Sequence, residues 1–445
     1  MNDSTAKEVL VIGAGVLGVC TAYWMSAVYG FRVVIVDREL SPASHSTLRN
    51  TGVVHRPFHL DPSKKKVYAS AAQNSLNLWK SFARTYGLPW KETGTIELAT
   101  NDRDVSVLEK YLKWATQNGM DESELELLDR QGVSSLEPLV RCNAGLHVKT
   151  EPVTEFSTLT RTLLFRVCEA NGVRFLSGRV TEITSSNKGV TVTMETDSRK
   201  ITFQFAYAFN CAGGGALELA EISGVAPQYA QLFFRGEYWR VNPFLGEKVK
   251  RNLYQVPSHT EYPFLDPHLI VRADGSRLVG PNAVPVLDPY AYSLPVKLRG
   301  GSGALKQAAR SSALSLLRDP RFLTLCATEW RSSLFKSSMC GRVTKFIPEL
   351  KPQLLESRAA PGIRSMLIDR TGFLPEAKVI ARENIFHVLN YNSPGATGAP
   401  AFSAYLVRTL SDRGYFSTYA KGGAKDPLHW DFYAISDASP ALSLN

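Results

Sequence analysis

Apolar and polar positions divide the chain into strands, glycine-rich turns and helices. Residues 9–37 consist of an apolar strand, a glycine-rich turn, a helix and a second apolar strand that ends in an acid. The pattern then predicts a polar helix at 66–86, an extended segment at 94–99 and a helix near 105–118. An amphipathic helix at 159–170 precedes a β-rich patch at 173–176, 189–196 and 200–205. An apolar strand at 206–211 then runs into Gly213–Gly215.

The second half of the chain begins with another β-rich region. It covers 232–241 and 268–284, with Asp274-Gly275 as a hairpin signal between two apolar runs. Residues 286–335 are predicted to be helical and on the surface, with a loop at 299–306. Residues 385–410 are predicted to form a strand, a glycine-containing loop and a helix.

Strand–loop–helix units at both ends of the chain and β-rich segments between them predict a composite α/β (α+β) fold. We expect a dinucleotide domain, built from separated segments, that carries a substrate domain. The predicted boundaries are 1–62, 145–222 and 355–425 for the dinucleotide domain, 63–144 and 223–354 for the substrate domain, and 426–445 for a C-terminal tail.

The first glycine turn has the G-x-G-x-x-G spacing at Gly13, Gly15 and Gly18, and Asp37 follows Gly18 by 19 residues. Gly13 suits a tight turn, Gly15 lets the backbone approach a pyrophosphate, and Gly18 lets helix and strand pack closely. The helix N-terminus offers free N–H groups to phosphates, and Asp37 can accept hydrogen bonds from ribose hydroxyls. The pattern predicts a dinucleotide site; the structural alternative is a βαβ unit without a ligand.

Composition narrows the class of protein. The chain has 445 residues, with 44% hydrophobic and 21% charged residues, which is typical of a globular protein too long for one simple core. Apolar runs are too short to cross a bilayer. The net charge of +10 comes without an aromatic-interleaved basic stripe, so we expect no nucleic acid. The charge instead favours a small anionic substrate or a membrane face.

Six cysteines are scattered without a C-x-x-C pair. This spacing argues against a metal site or a disulfide framework and fits a reducing cytosol. The few residues before Val9 leave no room for a signal peptide, so we expect a cytoplasmic protein with possible peripheral contact to a membrane.

Several motifs in order resemble the D-amino-acid oxidase (DAO) superfamily of flavoproteins, and within it the L-2-hydroxyglutarate oxidases and dehydrogenases. Besides the N-terminal fingerprint and NCAGG at 210–214, the matching pieces are NTGVVH (50–55), FRGEYW (234–239), PFLDPHLIVRADGSRLVGPNAV (263–284), APGIRS (360–365) and NYNSPGATG (390–398). The resemblance spans nearly the whole chain. It implies FAD as cofactor, a Rossmann-like FAD-binding domain and a substrate domain with a mixed or antiparallel sheet. It also implies oxidation of an α-hydroxy acid to the 2-keto acid by hydride transfer to flavin N5.

The resemblance assigns one set of residues to FAD. The N–H groups of the late loop at the start of a helix would contact the flavin ring, and their dipole would stabilise negative charge on it. An ordinary strand-to-helix turn is the alternative for that loop. The residues expected to bind FAD are Gly13, Ala14, Gly15, Val16, Leu17, Gly18, Asp37, Arg38, Ser46, Asn50, Thr51, Gly52, Val180, Cys211, Gly213, Arg364, Ser393, Pro394, Gly395, Ala396 and Thr397.

A second set would carry the chemistry. Arg364 is the candidate carboxylate clamp, because a guanidinium offers two parallel donors to a carboxylate. His55 and His268 are the candidate bases, since histidine can accept a hydroxyl proton near neutral pH, and His55 is favoured by its position in the flavin-proximal motif. The structural alternatives are an ion-paired arginine and core or surface histidines. The residues expected to contact substrate are Arg56, Arg235, Tyr238, Tyr254 and Asn282, with an ion pair to Glu237 as the alternative for Arg235.

Two further readings remain open from the sequence. The first is an FAD-dependent amine or amino-acid oxidase of the glycine oxidase type, which needs the same flavin and an arginine clamp. The second is a flavin-binding protein without oxidase chemistry. The electron acceptor is open among oxygen, a quinone and another protein. The sequence departs from the family pattern at Arg56–His59 and at Ser365–Leu367, near the distal part of the expected pocket.

Overall fold

The computed structural model describes residues 8–196, 199–259, 262, 266–293, 316, 318–416, 427–440 and 442–444. Its strands are β1 (Glu8–Ile12), β2 (Arg32–Asp37), β3 (Trp90–Glu92), β4 (Thr95–Ala99), β5 (Leu125–Asp129), β6 (Ala144–Val148), β7 (Pro152–Thr154), β8 (Val173–Ser177), β9 (Arg179–Ser186), β10 (Gly189–Thr196), β11 (Arg199–Phe205), β12 (Tyr207–Asn210), β13 (Ala230–Gly236), β14 (Trp239–Val241), β15 (Asn252–Gln255), β16 (His268–Val271), β17 (Arg277–Gly280), β18 (Val284–Val286), β19 (Leu355–Arg358), β20 (Gly362–Asp369), β21 (Gly372–Phe373), β22 (Lys378–Arg382) and β23 (Ile385–Leu389).

The α-helices of the described residues lie mostly on the faces of the sheets. They are α1 (Val16–Tyr29), α2 (Lys66–Tyr86), α3 (Asp102–Gln117), α4 (Arg130–Leu136), α5 (Phe156–Thr162), α6 (Ala216–Ile222), α7 (Pro243–Gly246), α8 (Pro320–Leu334), α9 (Lys336–Val343), α10 (Gly395–Asp412) and α11 (Phe432–Asp437).

The two N-terminal strands, β1 and β2, belong to a six-stranded sheet in the order β22-β23-β12-β1-β2-β8. All of its pairs are parallel except β22 with β23. Strands β1 and β2 are apolar apart from charged residues at their ends, because helices or other strands cover both of their faces. Glycine-rich turns follow the carboxyl ends of β1 and β12, which places two turns side by side at one edge of the sheet.

The remaining strands form mostly antiparallel sheets. Strands β9–β11 make a three-stranded antiparallel sheet, and β18-β13-β20-β21 make a four-stranded one. An eight-stranded sheet in the order β19-β14-β17-β16-β15-β4-β6-β5 is mixed, since β15 and β4 are parallel. A Rossmann-like parallel sheet together with a mixed sheet confirms the predicted fold class.

Helices α2 and α10 pack against each other, α10 also packs against α1, and this packing holds the late glycine loop in place. The indole N–H of Trp79 donates to the Thr397 carbonyl at 2.9 Å, and the Ala401 N–H donates to Ser75 Oγ at 3.1 Å. These bonds join the first turn of α10 to the buried face of α2. The loop before α10 is therefore fixed by tertiary packing.

Most predicted elements are present, with two differences. The predicted helix at 66–86 matches α2, and the extended segment at 94–99 is β4. The stretch at 159–170 is α5 continued by a π-helical turn at Leu163–Cys168 and a short 3₁₀ turn. In 286–335, α8 confirms the helix only at 320–334, and the predicted loop at 299–306 lies outside the described residues. Residues 287–293 are irregular, and the prediction of a surface helix there is wrong because Asp288 and Ala291 are buried.

The predicted domain boundaries stay a prediction. The strands of the six-stranded sheet do come from three separated stretches, at 8–37, 173–210 and 378–389. Strands β6, β19 and β20, in contrast, lie within segments assigned to the dinucleotide domain but pair in the other sheets. None of the helices in the described ranges is long and apolar enough to span a membrane.

Candidate active site

A cavity of about 690 Å³ lies where the two glycine turns meet the eight-stranded and four-stranded sheets. This volume is within the range of small-molecule and cofactor sites, about 300–1,000 Å³. Most of the predicted site residues line it. They are Gly13, Gly15, Val16, Leu17, Asp37, Arg38, Ser46, Asn50, Thr51, His55, Val180, Cys211, Gly213, Tyr238, Tyr254, His268, Asn282, Arg364, Ser393, Pro394, Gly395, Ala396 and Thr397.

Five predicted site residues lie outside this lining: Ala14, Gly18, Gly52, Arg56 and Arg235. The guanidinium of Arg56 donates to both carboxylate oxygens of Glu124, at 2.8 and 2.6 Å. The guanidinium of Arg235 pairs with Glu237 at 3.0 Å, which is the structural alternative given by the sequence. The structure therefore places the charges of both arginines in ion pairs and not in the cavity wall.

The first glycine turn is shaped by close backbone contacts. Gly13 has φ of +107°, and a Cβ on it would lie 2.5 Å from the Cys211 carbonyl oxygen. A Cβ on Gly18 would lie 1.9 Å from the Gly13 carbonyl oxygen. The Asp37 carboxylate accepts the Ala14 N–H at 2.8 Å, which ties the end of β2 to the turn. Neither glycine can be replaced without moving backbone, as a turn that cradles a phosphate requires.

The late loop meets the histidine motif at the other end of the cavity. Helix α10 begins at Gly395, and no side chain caps it. Thr397 Oγ1, in its first turn, accepts the backbone N–H of His55 at 3.0 Å. The uncapped start of a helix and a candidate base are thus joined directly, although 342 residues separate them in sequence.

His55 is held by a carboxylate that the sequence did not single out. Its Nδ1 lies 3.3 Å from Oε1 of the completely buried Glu151. The same carboxylate accepts the Arg56 N–H at 2.8 Å and the Thr95 hydroxyl. Burial acts to raise the pKa of Glu151, but these hydrogen bonds bring it below its ordinary value, so the carboxylate is ionised. Because a carboxylate only accepts, the neutral form of His55 carries its proton on Nδ1 and keeps a lone pair on Nε2.

His268 and Tyr254 form a stacked pair in the same wall. Their rings lie 4.2 Å apart at 25°. His268 Nδ1 lies 3.1 Å from the Asp266 carbonyl oxygen, so this nitrogen donates and Nε2 is left as an acceptor. Burial lowers the pKa of His268 to about 3, which keeps the ring neutral. Its Nε2 and the Tyr254 hydroxyl oxygen are buried without a hydrogen-bond partner among the described residues, as expected for groups that await a ligand.

Arg364 projects from β20, opposite Phe234 of β13, and lines the cavity. Burial lowers the pKa of Arg364, and the nearby Tyr238 and Tyr68 act in the other direction, so the guanidinium remains charged. Asn282 also reaches the cavity, but its amide is occupied. It accepts the Glu237 N–H at 2.8 Å and donates to the Glu237 carboxylate at 2.9 Å.

Sequence reasoning missed Glu151 and several other residues that line the cavity. Most of the others lie at the end that the first glycine turn also lines, here called the dinucleotide end. Glu151 lies between the short buried strands at 144–148 and 152–154. An acid in that position was the sequence signal that could have marked it as a buried functional residue. The other missed lining residues include His45, Thr47, Arg49, Tyr290 and Tyr292. In the part of the chain that the structure describes, no group of three or more His, Cys, Asp or Glu side chains could hold a metal ion.

The match to a known family decides the class of the protein. The family model described as FAD dependent oxidoreductase (DAO) matches residues 8–409. The chain belongs to the DAO family of FAD-dependent oxidoreductases. FAD is therefore its cofactor, and the prediction of a flavoprotein is confirmed.

Among relatives, L-2-hydroxyglutarate dehydrogenase from Salmonella houtenae is 27% identical over 402 residues, which cover 90% of this chain and 92% of that protein. The mitochondrial L-2-hydroxyglutarate dehydrogenase of Homo sapiens is 23% identical, with 92% and 90% covered. Among solved structures, FAD-bound L-alpha-glycerophosphate oxidase from Mycoplasma pneumoniae has a TM-score of 0.69 at 21% identity and covers 91% of this chain and 94% of that one. Glycine oxidase from Geobacillus kaustophilus has a TM-score of 0.65 at 15% identity, with 94% and 96% covered. These structures share the fold.

Proposed function

We propose that this DAO-family enzyme oxidises a 2-hydroxy acid of the L-2-hydroxyglutarate type to the 2-keto acid. The observation that carries the proposal is the His55–Glu151 pair in the wall of the cavity that Arg364 also lines. An ionised carboxylate behind a histidine makes a base for a hydroxyl proton, and an arginine provides a site for a carboxylate. A hydroxyl group and a carboxylate on adjacent carbons define a 2-hydroxy acid. The similarity to L-2-hydroxyglutarate dehydrogenases supports the same substrate class.

We assign the glycine turn and Asp37 to the ADP part of FAD, and the start of α10 to the flavin ring. The turn fits a pyrophosphate because a Cβ at Gly13 would meet backbone, and the Ala14 N–H fixes Asp37 at the end of β2. The uncapped first turn of α10 offers N–H groups and a positive dipole end to the ring. When bound, FAD supplies the acceptor for the hydride that leaves the substrate carbon.

His55 is the better base of the two histidines in the cavity. Both rings keep an Nε2 lone pair, since Glu151 and the Asp266 carbonyl each accept from Nδ1. A positive charge on His55 is stabilised by the adjacent Glu151 carboxylate. A positive charge on His268 is opposed by burial and by the charges of His55 and Arg364. We infer that His55 Nε2 accepts the hydroxyl proton.

His268 and Tyr254 then serve as contacts for the substrate. Their buried Nε2 and hydroxyl groups would be satisfied by polar atoms of a bound hydroxy acid, which relieves the cost of leaving them unpaired. Arg364 would bind the carboxylate through two parallel hydrogen bonds. These contacts orient the substrate so that its hydroxyl group faces His55.

The same geometry favours a hydroxy acid over an amino acid. An amine is oxidised as its free base, whose nitrogen already carries a lone pair, so an amine oxidase needs no base that is held by a buried carboxylate. The likeness to glycine oxidase is one of fold. A His55–Glu151 pair that accepts a proton suits a hydroxyl group, whose proton must leave as the hydride is transferred.

The substrate class is tested by anaerobic bleaching of the bound flavin. We expect L-2-hydroxyglutarate to reduce the flavin faster than D-2-hydroxyglutarate, L-2-hydroxybutyrate, glycine, sarcosine or D-alanine, each added under the same conditions and followed by absorbance near 450 nm. Reoxidation of the bleached enzyme with oxygen and with a soluble quinone then identifies the acceptor. Flavin reduction by the amino acids with release of ammonia would contradict the proposal, and no reduction by any compound would exclude oxidase chemistry.

Replacement of Glu151 by Gln tests the carboxylate behind His55. We expect kcat to fall about 10- to 100-fold, as is usual when the group that orients a functional histidine is removed, with little change in KM. Stopped-flow reduction of the flavin measures the loss, and the thermal midpoint of unfolding checks that the fold is kept.

Glu97→Gln is the matched control for this substitution. Glu97 is also buried, and burial raises its pKa well above the ordinary range, with Glu151 and Asp104 acting in the same direction. Burial therefore favours the neutral form of Glu97, and an amide of the same shape should leave the rate unchanged. Equal losses in E97Q and E151Q would show that Glu151 acts only through the packing of this region.

A further inference from the structure

Residues Asp288–Tyr292, here called the aromatic clasp, lie beside the dinucleotide end of the cavity. Tyr290 and Tyr292 line the cavity, and both stack on cations from the loop after β2. The guanidinium carbon of Arg38 lies 4.4 Å from the centre of the Tyr290 ring. That of Arg49 lies 4.2 Å from the centre of the Tyr292 ring. Each arrangement is a cation–π contact.

His45 joins the two tyrosines of the clasp. Its ring is parallel to that of Tyr292 within 12°, at 5.9 Å, and lies 4.7 Å from that of Tyr290. His45 Nδ1 is 3.1 Å from the Tyr292 hydroxyl oxygen, and Nε2 is 2.9 Å from Glu39. The loop after β2 therefore holds both rings of the clasp through side-chain contacts.

The clasp is also anchored from the four-stranded sheet. Arg235, which is fully buried on β13, donates from Nη1 to the Ala291 carbonyl oxygen at 3.2 Å. Within the clasp, the Tyr290 N–H donates to the Asp288 carboxylate at 2.7 Å. Arg235 thus fixes the backbone between the two tyrosines.

The clasp reaches the second glycine turn on the opposite side of the dinucleotide end. A Cβ on Gly214 would lie 2.7 Å from Pro289 Cβ, and a Cβ on Gly215 would lie 3.5 Å from the Tyr290 hydroxyl oxygen. The clasp therefore connects the loop after β2 with the turn after β12. These two loops flank the first glycine turn.

We propose that the aromatic clasp retains FAD by closing the cavity over the ADP-binding half. Release of FAD then requires Tyr290 and Tyr292 to separate from Arg38 and Arg49. The proposal rests on the FAD dependence of the family and not on the identity of the substrate. The clasp is a non-covalent means of holding the cofactor. It is built from residues that follow β18 and from residues of the loop after β2.

The double substitution Tyr290→Leu/Tyr292→Leu tests the clasp through the rate of FAD release. Holoenzyme is diluted, and the rise of free-flavin fluorescence is followed without substrate. Because it removes two cation–π contacts, we expect the release rate and the Kd for FAD to rise about 10- to 100-fold. The double variant Tyr290→Phe/Tyr292→Phe keeps both rings and should release FAD at nearly the wild-type rate. Tyr433→Leu is the matched control, since Tyr433 makes a similar contact with Arg408 at 5.6 Å but is remote from the cavity lining.

Hydrogen exchange on the unaltered protein gives an independent test that does not depend on the variants folding. Backbone amides of residues 288–293 should exchange more slowly in FAD-loaded protein than after FAD removal, while those of α3 should change little. Unchanged FAD release in the leucine variant, or equal exchange with and without FAD, would overturn the proposal. Equal acceleration in the Tyr433 control would also overturn it, because the effect would then not be specific to the clasp.

Discussion

Replacement of His55 by Gln is expected to reduce kcat about 10³-fold, since a positioned general base contributes roughly 10²- to 10⁴-fold to rate. The substitution removes the Nε2 lone pair that the Glu151 carboxylate supports. The Arg56 N–H and the Thr95 hydroxyl still hydrogen-bond Glu151, so its charge stays satisfied in the variant. The rate of flavin reduction by L-2-hydroxyglutarate under anaerobic conditions measures the loss, and added imidazole should restore part of the rate in the smaller His55→Ala variant.

His59→Gln is the control for the His55 variant. The His59 ring lies 6.2 Å from that of His55 but does not line the cavity, and burial lowers its pKa to about 3. The control therefore removes a neutral imidazole from the same region and should keep kcat within the same order of magnitude. A His55 variant that reduces the flavin at the wild-type rate would show that the hydroxyl proton leaves by another route, with His268 as the next candidate.

The first glycine turn was predictable because its parts are neighbours in sequence. Strand, glycine turn, helix and Asp37 all fall within residues 8–37, and the hydrogen bond from the Ala14 N–H to Asp37 spans only 23 residues. Local spacing then determines much of the geometry, since a Cβ on Gly18 would meet the Gly13 backbone and a Cβ on Gly13 would meet the adjacent β12 turn. The late strand and helix were predictable as elements because they are also neighbours in sequence, although contacts with the distant α2 fix the loop between them.

The charged partners in the site were not predictable, because they depend on contacts between distant strands. Glu151 is 96 residues from His55, and Glu124 is 68 residues from Arg56. The sequence names the neighbouring Glu237 as a possible partner of Arg235, but it does not show that Arg56 meets the distant Glu124. Ion pairs take both side chains out of the cavity wall, whereas Arg364 stays in it. The acids that the folded chain places beside each arginine therefore decide which arginine can face a ligand.

The aromatic clasp shows a second limit of pattern reading. Its tyrosines and Asp288 resemble a polar surface segment when only periodicity is considered. In the structure the rings are covered by Arg38, Arg49 and His45, which come from a loop about 250 residues earlier, since His45 and Tyr292 are 247 residues apart. Stacking on cations can bury an irregular segment, and the hydrophobic periodicity of the segment itself does not indicate this burial.

Replacement of Arg364 by Met is expected to lower kcat/KM for L-2-hydroxyglutarate about 10²- to 10³-fold, mostly through KM. Removing one partner of a buried ion pair costs about 3–5 kcal/mol, and each 1.4 kcal/mol is a factor of ten in affinity. Arg364→Lys keeps the charge but loses the parallel pair of donors, so its kcat/KM should lie between those of wild type and R364M. Steady-state kinetics on the three proteins measure the order.

A substrate without a carboxylate tests whether Arg364 binds the substrate carboxylate or has only a structural role. If Arg364 binds the carboxylate, the amide of a 2-hydroxy acid should be oxidised equally slowly by wild type and R364M, because neither can form the ion pair. Arg56→Met is the matched control: it breaks the pair with Glu124 outside the cavity lining and should lower the thermal midpoint of unfolding while leaving KM unchanged. If R364M lost activity equally on the acid and on its amide, or if R56M raised KM as much as R364M, Arg364 would not be the residue that selects the carboxylate.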